Sequence, residues 1–326
     1  SVEDEAAVSQ LARAEQVHGI IAPGIDWPVS IAARVAAHAG LPHPLSPEAA
    51  ALTVLKHKQR DRFDEAGVPQ PRWAVTNGAT DEVPVPCVVK PVDRQGQKGL
   101  SVVERREDLG RAITAALEES RSTVVMVEEL VPGPELTVNA FSLDGVFHPL
   151  TVTDRITGEG PAFGVALAHA WPSEHAVEAA VDAARRAAEA LGVANGPTYT
   201  QVVLGPDGPR VMELAARLGG GHDAELCRLA LGIDLNGLAL AAALGESVEV
   251  PEPEPVGGAH RDPAGAIAVL SLLLSTYWLR NTMMGYSEGI LIALVAFLVP
   301  TSVAIPSSPL SSSMSLSLPG PPIRAT

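Results

Sequence analysis

The chain is poor in cysteine, aromatic residues and positive charge. Only Cys87 and Cys227 occur in 326 residues, each in an apolar context without ligand-like spacing. Buried free thiols are therefore expected, rather than a disulfide framework or a thiolate metal site. Aromatic residues make up 4% of the chain, and 23 lysines and arginines face 38 acidic residues, a formal net charge of −15. This balance argues against a nucleic-acid partner.

The amino-terminal residues lack two further features. Residues 1–5 are acidic and no apolar leader follows them, so no signal peptide is expected. Together with the free thiols, this favours a cytoplasmic location. A short buried strand is expected over His18–Gly24 and a helix from Trp27 to Gly40, but the pair carries no G-x-G-x-x-G, so we predict no dinucleotide site there. The first helix has no strand before it, and the amino-terminal domain therefore looks cut short.

Charge is nearly absent from the carboxyl end of the chain. From Pro263 onward only Arg280, Glu288 and Arg324 are charged, and residues 264–279 and 289–305 form apolar runs of 16 and 17 residues. A bilayer core asks for about 20 apolar residues. Three interpretations compete: a short membrane hairpin, a hydrophobic segment for a partner, or an aberrant end. We favour the third, because the pattern of an incipient strand near residue 256 is lost.

The stretch 195–223 holds the densest set of polar residues in a strand-like context. Two short strands are expected on either side of Pro206-Asp207-Gly208, because Asp-Gly supplies a tight turn between apolar runs. Their alternation places Gln201 beside Glu213, as a sheet presents oxygen ligands to a hard cation. Arg217 and the glycine run 219–221 follow, and such a run lets backbone N–H groups approach an anion. A solvated hairpin followed by a flexible loop is the alternative.

A second group of residues precedes this hairpin. Lys90 lies in the apolar strand 86–91, where an ammonium group needs an anionic partner. The loop 93–99 with Gly96 and Gly99 follows, and a glycine loop between strands can fold over phosphates. Hairpin loops with two glycines are also common without any ligand.

The intervening segments are weaker indicators. A helix over residues 47–66 carries Lys58, which could equally lie on a solvated face. The strand ending in Glu128-Glu129, a Pro/Gly break and Glu135 would suit an adenosine slot, although an ordinary exposed turn is the alternative. Residues 153–171 are expected to be rich in loops, with surface groups such as Arg155 and His169.

Taken in order, these pieces resemble the ATP-grasp superfamily, specifically its carboxylate–amine ligase-like members, such as D-alanine–D-alanine ligase, and the ATP-grasp domain of carbamoyl-phosphate synthase. The similar segments are Lys58-x-x-x-Arg62, CVVKPVDRQGQKGLSVV (87–103), VEELVPGPELTV (127–138) and VMELAARLGGG (211–221), and the resemblance spans roughly residues 15–250. It implies an α+β fold in which two lobes grip ATP. A truncated α/β pre-ATP-grasp domain would occupy residues 1–53, the ATP-grasp domain residues 54–258, and a tail of unassigned fold residues 259–326.

The resemblance also implies roles for the matching residues. Arg217 and Lys90 would be catalytic. ATP would be bound by Lys58, Lys90, Gly96, Gln97, Lys98, Gly99, Glu128, Glu129, Val131 and Glu135. Glu213 and Gln201 would hold Mg²⁺ or Mn²⁺, and the substrates would meet Arg217, Gly220, Gly221 and His222, with Arg155 and His169 as weaker candidates.

Two positions depart from the family's pattern. Relatives usually carry a carboxylate where this chain has Gln201, and often an Asn where it has Ala215. The implied activity is an ATP-dependent ligase that activates a small, amino-acid-like acid as an acyl phosphate for attack by an amine. The alternatives are a nucleotide-binding protein with impaired catalysis, motivated by these two positions, and a membrane-associated protein defined by its tail. The expected partners are a small acid and an amine, and the chain could form a homodimer.

Overall fold

The computed structural model describes residues 3–94, 96–158, 163–220, 223–252 and 267–269. The predictions for Gly221 and His222 and for nearly all of the apolar tail lie outside these residues. The helices are α1 (Glu5–Ala14), α2 (Asp26–Ala39), α3 (Pro47–Val54), α4 (Lys56–Ala66), α5 (Leu109–Glu119), α6 (Glu178–Ala190), α7 (Asp223–Leu231) and α8 (Leu235–Leu244), with a 3-10 turn at Arg106–Asp108.

The amino-terminal region is helical in the residues described. Asp4 caps α1 by accepting a hydrogen bond from the Ala7 backbone N–H, at 3.0 Å. The predicted second helix is confirmed as α2, which ends at Gly40 in the left-handed conformation. The strand predicted over His18–Gly24 is wrong: the described structure has no strand before residue 73. In the part of the chain that the structure describes, no strand pairs with these residues, and Ile21 is exposed.

The single helix predicted over residues 47–66 is broken at Leu55. This residue adopts extended angles (φ −110°, ψ 106°), which ends α3 at Val54 and starts α4 at Lys56. The Lys56 N–H leaves the helical ladder and donates to the carbonyl of Val92, at 3.0 Å. The break therefore joins the start of α4 to the loop that follows Lys90.

A four-stranded antiparallel sheet forms the smaller lobe. Its strands are β1 (Trp73–Thr76), β2 (Cys87–Pro91), β3 (Ser101–Val103) and β4 (Val125–Glu129), in the order β1-β4-β2-β3. Helix α5 covers one face, where Val89, Ile113 and Val125 form a common core. Cys87 is a buried free thiol in this core, as expected. Cys227, in α7, is also a buried free thiol, but it lies in a different core.

A six-stranded antiparallel sheet forms the larger lobe. Its strands are β5 (Glu135–Leu143), β6 (Val146–Thr157), β7 (Ala166–Trp171), β8 (Gly196–Gly205), β9 (Gly208–Ala215) and β10 (Ile267–Val269), in the order β10-β7-β6-β5-β8-β9. The predicted β8–β9 hairpin with its turn at residues 206–207 is confirmed.

The two faces of the large sheet differ in polarity. One face packs on α6 through Leu136, Val138 and Val202, which are fully buried. On the other face the register aligns four polar residues across neighbouring strands: Glu213, Gln201, Thr137 and Thr153. If this face packed on a hydrophobic core, apolar side chains would be expected here. The row of polar side chains indicates instead that the face meets a polar ligand.

Helices α7 and α8 pack at one end of the large sheet, with Leu231 and Leu235 in the core that they share with Phe141. Among the described residues, no single helix is long and apolar enough to cross a membrane. The pair α7 and α8 passes that test only when taken together, and the two helices meet at 117°.

Candidate active site

A buried triad of charges lies where the two sheets meet. Glu128, at the end of β4, is 1% exposed. Its Oε1 accepts from Arg60 Nε of α4 at 2.7 Å, and its Oε2 lies 2.6 Å from Lys90 Nζ of β2. Arg60 also donates to the carbonyl oxygens of Val211 and Met212, at 2.7 and 2.5 Å. The triad therefore ties the small sheet to strand β9 of the large one.

A second ion pair extends this cluster on the β9 side. Lys56 Nζ lies 2.9 Å from Glu213 Oε1 and 2.8 Å from the carbonyl oxygen of Arg94. The Lys56 side chain is 11% exposed and that of Glu213 is 26% exposed. Since the Glu213 side chain is partly exposed, a ligand can reach its carboxylate.

The charges in this cluster shift one another's pKa values. Burial raises the pKa of Glu213, but the ammonium groups of Lys56 and Lys90 outweigh it and hold that pKa at about 2. Burial lowers the pKa of Lys56, and the carboxylates of Glu213 and Asp26 raise it above its ordinary value. Glu213 is therefore a carboxylate at neutral pH, paired with a charged lysine.

The pKa of Lys90 shifts in the opposite direction from that of Lys56 and lies below its ordinary value. Burial lowers its pKa, and the nearby charges of Arg60 and Lys56 act in the same direction, so the Glu128 carboxylate does not fully restore it. The cluster is thus crowded with cations around two carboxylates, and an additional anion would relieve the repulsion between Lys56, Lys90 and Arg60.

The donor set near Glu213 suits a hard divalent cation. Gln201 stands directly opposite Glu213 in the β8–β9 register, as predicted, so an amide and a carboxylate side chain occupy neighbouring positions. Ala215 stands opposite Tyr199 and offers no ligand. One carboxylate and one neutral oxygen match a Mg²⁺ ion that takes its remaining ligands from phosphate and water. The residues present therefore fit the metal that the resemblance implies.

The glycine loop after Lys90 reaches across to the large sheet. We call residues 96–99 the flap. Gly96, Gln97 and Gly99 have positive φ angles of 64°, 62° and 71°. A Cβ on Gly164, which lies between β6 and β7, would stand 3.1 Å from Gln97 Nε2. The flap and the large sheet thus lie on the same side of the molecule, with the charged cluster between the lobes.

The connection from β4 to β5 is anchored to the β8–β9 hairpin. Pro134 accepts a backbone hydrogen bond from Leu204 at 2.9 Å. At Gly133, with φ +146°, an added Cβ would lie 2.1 Å from the carbonyl oxygen of Leu204. Val131 packs against Gly205, where a Cβ would stand 2.9 Å from Val131 Cγ1. Only glycine fits at Gly133, so this connection is defined by close backbone contact.

The two glutamates before this connection have different environments. The resemblance implies that Glu128 lies along the nucleotide site, and both of its side-chain oxygens are engaged by Arg60 and Lys90. The Glu128 side chain therefore joins the two lobes, and its place in the nucleotide site stays a prediction. Glu129 is one-third exposed and accepts from the backbone N–H of Arg72 at 3.2 Å.

Arg155 and His169 are buried strand residues, and the prediction that they are surface groups in loops is wrong. Arg155, on β6, donates to Glu135 Oε2 at 2.6 Å and to the carbonyl oxygen of Gly164 at 2.7 Å. His169 stands opposite it on β7 and shares a 2.9 Å hydrogen bond with Thr153 Oγ1. Burial, and then the charge of Arg155, lower the pKa of His169 to about 4, so the imidazole is neutral at pH 7.

Arg217 is held by a residue of the amino-terminal region. Its Nε forms an ion pair with Asp26 of α2, and its Nη1 donates to the Leu218 carbonyl at 2.8 Å. The Leu218 N–H in turn donates to the carbonyl of Pro23 at 3.1 Å. Burial lowers the pKa of Arg217, and Asp26 more than compensates. Gly220 follows in an irregular segment.

Lys58 does not join the cluster. Its side chain is 51% exposed and pairs with Asp61 at 3.6 Å, on the outer side of α4. Lys56 occupies the place that the prediction gave to Lys58, because the break at Leu55 turns the first residue of α4 inward. Sequence reasoning also missed Arg60 and Asp26. The available signal was the spacing of Lys56 and Arg60, because residues four apart lie on the same face of a helix.

Two cavities help to locate open space. One of about 210 Å³ lies between residues 77–80 and α5 and contains none of the site residues. A smaller one of about 30 Å³ adjoins Arg217 and is lined by Pro23, His43 and Pro197, among others. Of these two cavities, only the smaller one is lined by a candidate site residue, Arg217.

Two antiparallel sheets with helices at their sides, and a cluster of lysines and carboxylates between them, define an α+β protein. The sequence profile of the ATP-grasp domain matches residues 83–225. This matched stretch, less than half of the chain, is similar to the ATP-grasp domain, and the chain has the ATP-grasp fold.

Relatives and solved structures agree with this assignment. An uncharacterized protein, y4rH, from Sinorhizobium fredii is 27% identical over 252 residues, which cover 73% of this chain and 51% of that protein. Alanine–anticapsin ligase from Bacillus subtilis is 25% identical over 248 residues, which cover 64% of this chain and 52% of that protein. The chain thus spans about half the length of these relatives.

The structure of L-amino acid ligase from Bacillus licheniformis is similar, with a TM-score of 0.67 and 23% identity, covering 82% of this chain and 66% of that one. Other structures of similar fold are complexes with ADP, with ATP and with MgADP.

Proposed function

We propose that this chain is an ATP-dependent carboxylate–amine ligase, which activates a small, amino-acid-like acid as an acyl phosphate for attack by an amine. The observation that carries the proposal is the position of Lys56, Lys90 and Glu213. They come from three elements in both lobes and form one charged cluster between the two sheets. A triphosphate with its divalent cation has the charges that such a cluster recognises.

Lys56 and Lys90 are proposed to neutralise the phosphate oxygens. The two lysine side chains are 11% and 12% exposed, and each ammonium group pairs with a carboxylate in the structure. The flap residues Gly96, Gln97, Lys98 and Gly99 would cover the phosphates and exclude water, which would otherwise hydrolyse an acyl phosphate. The contact of Gln97 with Gly164 supports this role, because it shows that the flap can reach the opposite lobe.

Glu213 and Gln201 are proposed to hold Mg²⁺ or Mn²⁺. The cation would neutralise phosphate charge and thereby favour phosphoryl transfer. Lys56 pairs with Glu213 in the structure, so its ammonium group lies next to both the metal ligand and the proposed phosphate position. Lys56 would thus add positive charge beside the transferring phosphoryl group, in addition to the charge of the cation.

The adenosine is proposed to lie along the β4–β5 connection. Backbone groups of Glu129 and Val131 would meet the adenine edge, and Glu135 would accept from the ribose hydroxyls. Arg155 fixes the Glu135 carboxylate through a 2.6 Å contact, which supports this role because a ribose site needs a preoriented acceptor.

The acid substrate is proposed to be held by Arg217, with Gly220, Gly221 and His222 shaping the pocket for the amine. A guanidinium group binds carboxylates and phosphoryl groups through parallel N–H donors. The names of two relatives support an amino-acid-like acid: alanine–anticapsin ligase, and a D-alanine–D-alanine ligase that is 33% identical over 90 residues. A cytoplasmic homodimer remains a prediction from the sequence.

The proposal is tested by ADP release in the presence of MgATP, a panel of amino acids and a panel of amines. We expect release that requires both an acid and an amine. Lys90→Ala should abolish ATP binding, whereas Lys58→Ala, at an exposed position on the same lobe, should leave it unchanged. Undiminished ATP affinity in Lys90→Ala would remove this cluster from the site.

The second candidate is an ATP-binding protein of the same fold without turnover. Gln201 and Ala215 favour it, because they leave the metal site with a single carboxylate. Tight MgATP binding without acid- and amine-dependent ADP release would support this candidate over the ligase.

A further inference from the structure

The site draws one acidic side chain from a helix that precedes the matched ATP-grasp residues. Asp26 is the first residue of α2, and its side chain is 13% exposed, beside that of Arg217 at 12%. An acid in the first turn of a helix needs no such burial, because it already interacts favourably with the helix dipole from the surface. The buried contact with Arg217 is therefore a separate feature of this position.

Arg217 has two carboxylates within its electrostatic reach. Asp26 contacts it directly, and the charge of Glu213 also acts on it. If Asp26 were absent, the guanidinium group would be drawn toward Glu213, which is the proposed metal ligand. Of these two carboxylates, Asp26 is the one that contacts the guanidinium group directly.

The contacts of Arg217 also leave a defined set of donors. Nε is used by Asp26, and one hydrogen of Nη1 is used by the Leu218 carbonyl. Among the contacts of the described residues, these leave Nη2 and the second hydrogen of Nη1. The outer edge of the planar group carries one hydrogen of Nη1 and one of Nη2, and this edge can grip a carboxylate through two parallel bonds.

We propose that Asp26 is a positioning residue, which orients Arg217 so that its outer edge binds the carboxylate of the acid substrate. The inference rests on the proposed function, since it takes Arg217 as the group that meets this substrate. It adds that α2, outside residues 83–225, sets the affinity for the acid while leaving nucleotide affinity unchanged.

The test compares Asp26→Asn and Asp26→Glu with the wild-type chain. L-alanine is the acid, and hydroxylamine is the amine, which converts the acyl phosphate to a hydroxamate and releases phosphate. We expect the KM for L-alanine to rise about tenfold in Asp26→Asn, as expected for a misplaced charged hydrogen bond, with the KM for MgATP within about twofold. Asp26→Glu, which restores the charge, should recover part of the loss.

Glu5→Gln is the matched control. Glu5 pairs with Arg34 at 2.8 Å between α1 and α2, so this variant removes a carboxylate of the same region away from the site. It should leave both KM values unchanged. An Asp26→Asn variant with wild-type KM for L-alanine, or with equal losses in both KM values and in Tm, would overturn the inference.

A binding measurement separates this inference from the proposed function. If the wild-type chain forms no hydroxamate, the ligase proposal fails, and calorimetry of L-alanine binding to the MgADP complex then decides the role of Asp26. Weaker binding in Asp26→Asn than in wild type and Glu5→Gln would support it. Equal binding, or none in any variant, would overturn it.

Discussion

Gln201 on β8 and Glu213 on β9 are direct cross-strand neighbours, and their side chains share the polar face of the large sheet. A one-residue slip of this hairpin would turn both side chains to the apolar face that packs on α6. The register is held by the buried Val202 and Val211 on that opposite face. The Val202–Val211 pair and the bulge that follows it, which shifts the register by one residue, together place Gln201 opposite Glu213.

Gln201→Glu is expected to strengthen the metal site. A second carboxylate adds negative charge to the ligand set. ADP binding should therefore reach half of its maximum at an Mg²⁺ concentration about tenfold lower than in wild type. Without metal the variant should be less stable, because two carboxylates would face each other. Calorimetry of ADP binding across a Mg²⁺ series measures the first effect, and Glu213→Gln should shift it in the opposite direction. An unchanged Mg²⁺ requirement in both variants would place the metal elsewhere.

Lys56 and Lys58 form a matched pair on one helix. Lys56→Ala should weaken MgATP binding by about 10- to 100-fold, since a charge-assisted contact of about 1.5–3 kcal/mol is lost. Lys58→Ala should change it by less than about twofold, because its ammonium group is half exposed and pairs with Asp61. Equilibrium binding of a fluorescent ATP analogue compares the two. A larger effect from Lys58 would show that α4 turns differently when nucleotide is bound.

The sequence predicts those features that depend on residues close together in the chain. The Asp-Gly turn between two apolar runs predicts the β8–β9 hairpin, and the structure confirms the hairpin and the pairing of Gln201 with Glu213, which a bulge beside Val202 brings into register. The apolar context of Lys90 likewise predicts an anionic partner, and the structure supplies Glu128 at 2.6 Å. In each case neighbouring residues determine the result.

The sequence was uninformative where a contact between distant segments decides. The break at Leu55 is accompanied by a hydrogen bond from Lys56 to Val92, which helical periodicity cannot reveal. The ion pair of Asp26 with Arg217 joins segments that are distant in the chain and share no pattern. Arg155 and His169 were predicted to lie in loops because glycines and a proline interrupt residues 158–164, whereas the antiparallel pairing of β6 with β7 places both residues in strands.

Gly133→Ala should destabilise the chain by more than about 2 kcal/mol, because its Cβ would overlap the Leu204 carbonyl and φ is +146°. Gly110→Ala is the control. Gly110 lies in α5 with nothing within 4 Å of an added Cβ, and the change should stabilise by about 0.5 kcal/mol. Urea unfolding of both variants measures the difference. Equal stability of the two would mean that the β4–β5 connection can move away from the hairpin.

The pH dependence of stability contains two opposing contributions. Burial raises the pKa of Asp223 to about 6, although a 2.8 Å hydrogen bond from Asn139 opposes the shift. Its contribution is fully present below its unfolded pKa of 3.8 and is lost as pH rises through 6. The pKa of His169 is lowered to about 4, so its contribution is fully present above 6.5 and is lost as pH falls through 4. Each group is worth at most about 3 kcal/mol.

The two contributions nearly cancel between pH 4 and pH 6, so single substitutions should uncover them. Relative to wild type, Asp223→Asn should gain about 3 kcal/mol as pH rises from 4 to 7.5, because the variant never has to ionise a buried acid. His169→Gln should gain a similar amount as pH falls from 7 to 4, because the unfolded wild-type chain binds a proton that the folded imidazole resists. Urea unfolding over this pH range gives both differences. A pH-independent difference for Asp223→Asn would mean that water reaches this carboxylate in the folded chain.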